Sequence, residues 1–332
     1  MGFNAFYDNW VDISNIFVDV PLFRTEEYLP VNLELDFFQN LSFSSEKFTE
    51  YRIQSAIKAS NILGPKPVVC FSGGIDSQAM VLAWKESGLK FDTVILVFED
   101  NLNIHDVDDA RAFCKINDIP LIEIELDIMQ FLNRENYDYA LKYDSASPHF
   151  NTHYKLFNIL KANGYTGVCA GGDAPIKNNN IWGGNFLRNQ HTYVKYSQVE
   201  NFPVIGNYLS YTPELAWCLS LFCAPTSNSN MFFGSNIENL KSANLDRYKH
   251  KCNSYKKIGF NILPQKTKYT GFELIKEELE RKTGNGWEFE QRYRYPLEKV
   301  LNHSSPTIHF KFKENVEQFV NLTYSNNISS GF

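Results

Sequence analysis

The fold of this chain is decided by Val68-Val69-Cys70-Phe71-Ser72-Gly73-Gly74-Ile75-Asp76-Ser77. The segment starts as an apolar strand, breaks at a Ser-Gly-Gly turn and opens a helix. The glycines let the backbone approach phosphates closely, and the turn points several amides inward. The helix N-terminus adds the positive end of its dipole, and the hydroxyls of Ser72 and Ser77 add hydrogen-bond donors. We therefore expect a polyphosphate here, with Asp76 helping to hold the Mg²⁺ that neutralises it.

Two better-known phosphate-binding patterns are missing from the sequence. Neither Gly-x-x-x-x-Gly-Lys-Ser/Thr nor Gly-x-Gly-x-x-Gly occurs, so the turn is neither a Walker-type loop nor a dinucleotide-binding fingerprint. A chance Gly-Gly turn between a strand and a helix is the alternative. The whole six-residue string after an apolar strand favours the phosphate site over that alternative.

The sequence on both sides of the segment indicates the fold class. From Pro67 to about Ala174, short apolar runs alternate with helical patterns, which predicts an α/β fold with a parallel sheet and helices on both faces in three layers. The expected strands are 67–71, 93–98, 121–126 and 167–170, and the expected helices include 45–61, 77–87, 150–162 and one capped by Asn103.

Three regions follow from this pattern. We expect an N-terminal extension and lead-in helix over 1–60, a nucleotide-binding core over 61–175, and a mainly helical substrate or lid region over 176–332. Residues 176–211 are rich in Asn, Gly and Tyr, which indicates irregular structure, a lid or an inserted hairpin. Helices are also expected from Thr212-Pro213-Glu214 and, through a capping box, from Thr270-Gly271-Phe272-Glu273.

A second glycine turn, Ala170-Gly171-Gly172-Asp173, follows the strand at 167–170. Ligands of open α/β sheets collect at the carboxyl ends of the strands, so both glycine turns should face one crevice.

Composition limits the class of partner and the compartment. A formal charge of −6 argues against general nucleic-acid binding. No run of eighteen apolar residues and no secretory leader pattern occur, so we expect a cytoplasmic protein without membrane contact. The six cysteines are scattered without a Cys-x-x-Cys pair, which indicates reduced thiols rather than a zinc site.

The string Ser72 to Ser77 resembles the Ser-Gly-Gly-x-Asp-Ser motif of the PP-loop ATP pyrophosphatases, the adenine nucleotide alpha-hydrolase-like superfamily. Within it, the likeness is to the synthetase domain of asparagine synthetase. The resemblance implies a HUP-like sheet and cleavage of ATP between its α and β phosphates. It also implies that Ser72, Gly73, Gly74, Asp76 and Ser77 hold the pyrophosphate portion.

Three further matches to the family are shorter. Gly171-Gly172-Asp173 resembles a Gly-Gly-Asp near the reacting centre, which implies that Asp173 joins Asp76 as a catalytic metal ligand. Phe98 ends a strand where the family often reads adenine, although it equally suits the core. The segment 263–273 is similar to a lysine-bearing loop, so Lys266 and Lys268 are candidate transition-state cations; solvated surface lysines are the alternative. Between residues 241 and 282, 11 Lys and Arg stand against 5 Asp and Glu, which favours an anionic ligand.

His149 and His153 are four residues apart and would share a helix face. A metal pair or a substrate contact is one interpretation. Without a third ligand in view, ordinary surface or capping histidines are the simpler one.

The resemblance implies an AMP-forming, carbon–nitrogen bond-forming ligase that uses ATP and Mg²⁺. Its partners would be a small-molecule acid or amide-like substrate and a nitrogen donor, and a homo-oligomer is left open. Two alternatives remain: a sulfur-transfer or phosphoadenylylsulfate-reductase-like enzyme, and a non-catalytic adenine-nucleotide-binding protein.

Overall fold

A computed structural model describes residues 28–29, 44–171, 176–178, 181–183, 187–223, 252–264, 271–301 and 309–310. The strands in chain order are β1 Tyr28–Leu29, β2 Pro67–Cys70, β3 Asp92–Phe98, β4 Leu121–Leu126, β5 Gly167–Cys169, β6 Ile176–Asn178, β7 Ile181–Gly183, β8 Val204–Ile205 and β9 His309–Phe310. Five of them form a parallel sheet in the order β4-β3-β2-β5-β8.

The helices surround this sheet. In chain order they are α1 Ser45–Leu63, α2 Ile75–Glu86, α3 Ile104–Ile116, α4 Ile128–Arg134, α5 Asn136–Tyr143, α6 Pro148–Ala162, α7 Leu187–Glu200, α8 Pro213–Cys223, α9 at 252–257, α10 Glu273–Thr283 and α11 Tyr295–Leu301. Local chemistry explains where several helices begin. The Ser44 hydroxyl accepts a hydrogen bond from the Lys47 amide at the start of α1 (3.2 Å). Proline is the first residue of α6 and of α8, where its missing N–H costs nothing.

Alternate residues of each strand feed two separate cores, one on each face of the sheet. Val68, Val94, Val168 and Val204 belong to one core, which also contains residues of α4, α5, α6 and α7: Phe131, Tyr143, Leu160 and Tyr196. Their strand neighbours Val69, Ile95, Cys169 and Ile205 belong to the other, with residues of α1, α2, α3 and α8: Ala59, Trp84, Phe113 and Leu219. The expected three-layer α/β fold with helices on both faces is confirmed.

The strand order creates a crevice beside the central strand. From β2 the chain moves outward on one side to β3 and β4, then returns to place β5 and β8 on the other side of β2. The helix that follows β2 and the helix α7 that comes after β5 pack on opposite faces, and open α/β sheets form a crevice at the carboxyl ends of two such strands.

The region after residue 175 is more regular than expected. An inserted hairpin does form, with β6 antiparallel to β7 and Ile176 opposite Gly183. Irregular structure is wrong for 187–205, because α7 and β8 form there and β8 extends the sheet. Burial of Tyr193, Val194 and Tyr196 stabilises α7 despite its polar composition.

Two helix starts differ from their expected capping. Asn103 occupies the N-cap position of α3, but its side chain makes no cap bond. Instead its Oδ1 accepts the Phe98 amide and its Nδ2 donates to the Leu96 carbonyl, both at 2.8 Å. The N-cap of α10 is Phe272, which makes no side-chain cap bond, whereas Thr270 lies outside the described residues. Asn103 thus ties α3 to the end of β3.

Two short helices, α4 and α5, were not expected between β4 and α6.

In the described part of the N-terminal region, Tyr28–Leu29 pairs in parallel with His309–Phe310. None of the described helices combines the length and hydropathy needed to cross a lipid bilayer.

Glu200 fastens α7 to α5 and α6. Its carboxylate lies 2.7 Å from Lys142 Nζ and 3.1 Å from Lys161 Nζ, and it accepts the Tyr143 hydroxyl at 2.9 Å. Burial alone would raise the pKa of Glu200, but the hydrogen bonds from Lys142, Lys161 and Tyr143 outweigh it and lower the pKa to about 2. The charged form of Glu200 therefore stabilises the packing of three helices.

We expect Glu200→Gln to lower the free energy of unfolding by about 1–2 kcal/mol at neutral pH, since both lysines are partly exposed and screened. The pKa of Glu200 lies below its ordinary value of 4.5, so this stabilisation is complete above that pH. It is lost as the pH falls towards about 2. Urea unfolding between pH 2 and 7 measures both effects.

The matched control is Glu278→Gln. The hydrogen bonds from Arg281 and Lys282 lower the pKa of Glu278 to about 2 as well, but the pair lies at the surface within one helix. Its substitution should leave unfolding almost unchanged. Equal effects of the two substitutions would contradict the assigned role of Glu200.

Candidate functional site

The loop Ser72–Ser77 leaves the central strand at the crevice. Gly73 has φ +73°, and a Cβ there would lie 2.6 Å from the Asp106 carbonyl oxygen in the first turn of α3. Only glycine fits this close approach of two backbones. Gly74 takes the N-cap position of α2 without a side-chain cap, and the first intrahelical bond runs from the Gln78 amide to the Gly74 carbonyl (2.8 Å). The amides of 74–77 therefore have no acceptor within the helix.

The two loop serines differ in their surroundings. Ser77 is 5% exposed, and its hydroxyl donates to the Gly74 carbonyl at 2.7 Å. Its oxygen lies 3.1 Å from the Ser72 Oγ, which is at the exposed mouth of the turn. Ser77 thus braces the turn from inside, and Ser72 is the hydroxyl that faces the crevice.

Asp76 is half-buried in the first turn of α2. Its Oδ1 accepts a short hydrogen bond from the hydroxyl of Tyr255, a residue of α9 that is fully buried. The sequence contains 18 tyrosines, and no local pattern singles out this one. Tyr255 is therefore a site residue that sequence reasoning missed.

Gln78 is a second missed residue, and it joins the loop to the segment after α9. Its Nε2 donates to the carbonyls of Gly73 (3.0 Å) and Leu263 (3.2 Å), and its Oε1 accepts the Leu263 amide (2.8 Å). The amide side chain is 1% exposed. These hydrogen bonds hold Leu263 against the first turn of α2.

Lys266 and Lys268 lie outside the described residues, but the chain on either side of them is placed beside the loop. On one side Leu263 is clasped by Gln78. On the other, a Cβ at Gly271 would lie 3.0 Å from Asp106 Oδ2, the same residue whose carbonyl meets Gly73.

Gly171, the first glycine of the second turn, lies against the start of α2. A Cβ at Gly171 would lie 3.3 Å from the Ser77 Cα, so the chain leaving β5 passes directly against the start of α2. That both turns border one crevice stays a prediction, and this contact supports it only for Gly171. Gly172 and Asp173 lie outside the described part of the chain.

The side chain of Phe98 lies in the core rather than on the crevice surface. It is 5% exposed and packs edge-to-face on Phe272 at 5.4 Å between ring centroids. Of the two interpretations that the sequence allowed, the core interpretation describes this ring.

His149 lies in the first turn of α6, and its side chain is partly buried against aromatic rings. Its ring lies 4.2 Å from that of Phe272 and 5.8 Å from that of Phe289. Burial, and then the charges of Lys276, His153 and Arg294, lower the pKa of His149 to about 3, so it is neutral at physiological pH. His153 places its Nδ1 2.7 Å from the Tyr193 hydroxyl.

Four of the described thiols are held in their protonated form. Burial raises the pKa of Cys70 to about 12 and that of Cys114 to about 11. It raises the pKa values of Cys169 and Cys218 well above the ordinary range. A nucleophilic thiolate is therefore unfavourable at these four positions.

Within the described ranges, no three His, Cys, Asp or Glu side chains meet as a metal site. Mg²⁺ commonly uses only one or two carboxylates and takes its other oxygens from water and substrate phosphates. A single half-buried Asp76 beside the helix amides fits that pattern. Such a site would hold Mg²⁺ only together with a phosphate-bearing ligand.

No model of a protein family matches this sequence, and a search of curated proteins finds no match. Among solved structures, the chain is similar to the U34-tRNA thiolase NcsA from Methanococcus maripaludis with its 4Fe–4S cluster. That match has 11% identity over 82% of this chain and 85% of the other, with a TM-score of 0.35.

Two synthetases are also similar. The glutamine-dependent NAD+ synthetase from Acinetobacter baumannii in complex with ADP matches at 15% identity over 44% of this chain and 28% of the other, with a TM-score of 0.31. The NMN synthetase from Francisella tularensis matches at 14% identity over 73% and 96%, with a TM-score of 0.32. At TM-scores this low the likenesses carry no argument, and the closeness to asparagine synthetase stays a prediction.

The packing of Gly73 on Asp106 can be tested by adding one methyl group. Gly73→Ala should lower the free energy of unfolding by about 2–4 kcal/mol, because positive φ and a backbone clash add together. Gly88→Ala is the control: Gly88 has φ +69°, but nothing lies within 4 Å of where its added methyl group would stand, so only the cost of about 1 kcal/mol for the left-handed conformation applies. Equal losses in urea unfolding would show that the contact is unimportant.

Proposed function

We propose that this chain is an ATP pyrophosphatase of the PP-loop type, which binds ATP at Ser72–Ser77 and breaks the bond between the α and β phosphates. The observation that carries the proposal is the geometry of this loop. It leaves the central strand at the crevice, lies against Asp106 through Gly73, and opens into the helix amides of 74–77. Backbone amides at a helix N-terminus are a favourable site for phosphate oxygens.

In this proposal, Ser72, Gly73, Gly74, Asp76 and Ser77 bind the β and γ phosphates. Gly171 and Gly172 would border the opposite side of the crevice. Asp76 and Asp173 would hold Mg²⁺, whose charge stabilises the departing pyrophosphate.

Lys266 and Lys268 would stabilise the charge that accumulates as the bond breaks. The contacts of Leu263 with Gln78 and of Gly271 with Asp106 support this role, since Gln78 follows the loop and the Asp106 carbonyl contacts Gly73. A cation near the α phosphate stabilises the transition state more than the ground state when it is placed where charge develops.

The proposed reaction has two steps. An oxygen of a small carboxylic acid or amide-like substrate attacks the α phosphorus, and pyrophosphate leaves with the electrons of the broken P–O bond. A nitrogen nucleophile then attacks the activated carbon, loses a proton and forms the new C–N bond while AMP leaves. This chain would supply binding and charge stabilisation rather than a covalent nucleophile. Residues 176–332 would supply the substrate side of the crevice.

The sulfur-handling alternative gains no support from the described thiols, because the pKa values of Cys70, Cys114, Cys169 and Cys218 are all raised. The non-catalytic alternative differs from the proposal only in turnover. An assay for AMP and pyrophosphate separates it.

The assay incubates the protein with ATP, Mg²⁺, a panel of small acids and ammonia. We expect AMP and pyrophosphate, and we expect Asp76→Ala to reduce their formation by about 10²-fold or more, since a charge-stabilising group at the phosphates is lost. Asp138→Ala is the control, because Asp138 also lies in the first turn of a helix, at an exposed position on α5. ADP and phosphate as products would contradict the proposed bond cleavage.

Lys268→Ala should lower kcat by roughly 10- to 100-fold and change the KM for ATP by less than about threefold, if its charge acts in the transition state. Lys257→Ala removes an exposed lysine from the same segment and should change neither constant. Steady-state kinetics at saturating Mg²⁺ give both values. An unchanged kcat would mean that Lys268 is a solvated surface lysine with no role in the reaction.

A further inference from the structure

Tyr255 is a buried side chain whose polar end serves the candidate site. The residue is fully buried, and its hydroxyl donates to Asp76 Oδ1 across 179 positions of sequence. A hydrogen bond from a neutral hydroxyl to a carboxylate is stronger and shorter than one between neutral groups. The bond occupies one Asp76 oxygen from the protein side, so the two carboxylate oxygens are no longer equivalent.

Contacts other than the one with Asp76 fix the position of Tyr255. Its ring packs edge-to-face on Phe260 at 5.8 Å, and the Arg52 Nη1 donates to the Ile258 carbonyl at 2.9 Å. Farther along the chain, the hydrogen bond from the Leu263 amide to Gln78 Oε1 fixes Leu263. Because the segment 252–264 is anchored at these points, the Tyr255 hydroxyl has a defined position relative to the loop.

We infer that Tyr255 is a positioning residue that fixes the orientation of the Asp76 carboxylate for Mg²⁺ and thereby sets how strongly the loop binds ATP together with the metal. The inference rests on the proposed function of the loop. Tyr255 acts through Asp76, since its hydroxyl donates to that carboxylate. A metal site gains affinity when its ligand is oriented before binding, because less conformational freedom is lost.

The test measures ATP binding by calorimetry, once with Mg²⁺ and once with EDTA, in the full chain. The wild-type protein should bind ATP more tightly with Mg²⁺, and the ratio of the two dissociation constants is the readout. Tyr255→Phe keeps the buried ring and removes only the hydroxyl. It should reduce that ratio by about five- to tenfold and leave binding in EDTA within about twofold.

Tyr196→Phe is the matched control. Tyr196 is also fully buried, and its hydroxyl donates to Asn158 Oδ1 at 2.8 Å in the core on the other face of the sheet. The Tyr196→Phe variant also loses a hydroxyl group, and it should leave the ratio of the two ATP dissociation constants unchanged. If both variants reduce the ratio equally, or if Tyr255→Phe leaves it unchanged, the positioning role is wrong.

Two further measurements separate the possible failures. In an Asp76→Ala background, Tyr255→Phe should have no additional effect on the ratio, since its action passes through that carboxylate; an independent effect would overturn the inference. If Tyr255→Phe does not fold, Phe260→Leu loosens the same ring without removing the hydroxyl and should lower the ratio in the same direction, whereas an unchanged ratio counts against the inference. Wild-type protein that binds no ATP would instead overturn the proposed function itself.

Discussion

One backbone contact determines the shape of the crevice: Gly73 lies against the Asp106 carbonyl with no room for a side chain. This contact requires a positive φ and the absence of Cβ, and both are met only by glycine. It seats the turn after the central strand on the first turn of α3. The N-terminus of α2 then faces the carboxyl ends of β2 and β5, where the strand order reverses. Chain geometry, rather than side-chain chemistry, thus shapes the proposed anion site.

Two buried side chains, one on α2 and one on α9, connect the loop to the C-terminal half. Gln78 and Tyr255 tie residues 252–264 to the loop through buried hydrogen bonds. A buried polar group left without its partner is costly, so these bonds favour one arrangement of the segment relative to the loop. The nucleotide side and the proposed substrate side of the crevice are therefore physically coupled. Binding at the loop and the position of the 252–264 segment should depend on one another.

Local patterns in the sequence account for most of the sheet and for the loop. Apolar runs such as Val68-Val69 and Val94-Ile95-Leu96 predict the strands, and the glycines predict the Ser-Gly-Gly turn. What local patterns could not reveal depends on distant partners. Helix α7 is polar in composition and is stabilised by the burial of three residues, and the His149 ring packs against Phe272, the N-cap residue of α10, and against Phe289. Tyr255 and Gln78 likewise take their roles from residues more than 170 positions away.

The central claim is that the loop Ser72–Ser77 binds the terminal phosphates of ATP. It is tested most directly by a crystal structure of the protein with Mg²⁺ and α,β-methylene ATP, an analogue that cannot be cleaved at the α–β position. We expect the β and γ phosphate oxygens to lie within hydrogen-bonding distance of the loop amides, with the metal on the Asp76 carboxylate. A nucleotide bound elsewhere, with these amides turned towards solvent, would contradict it.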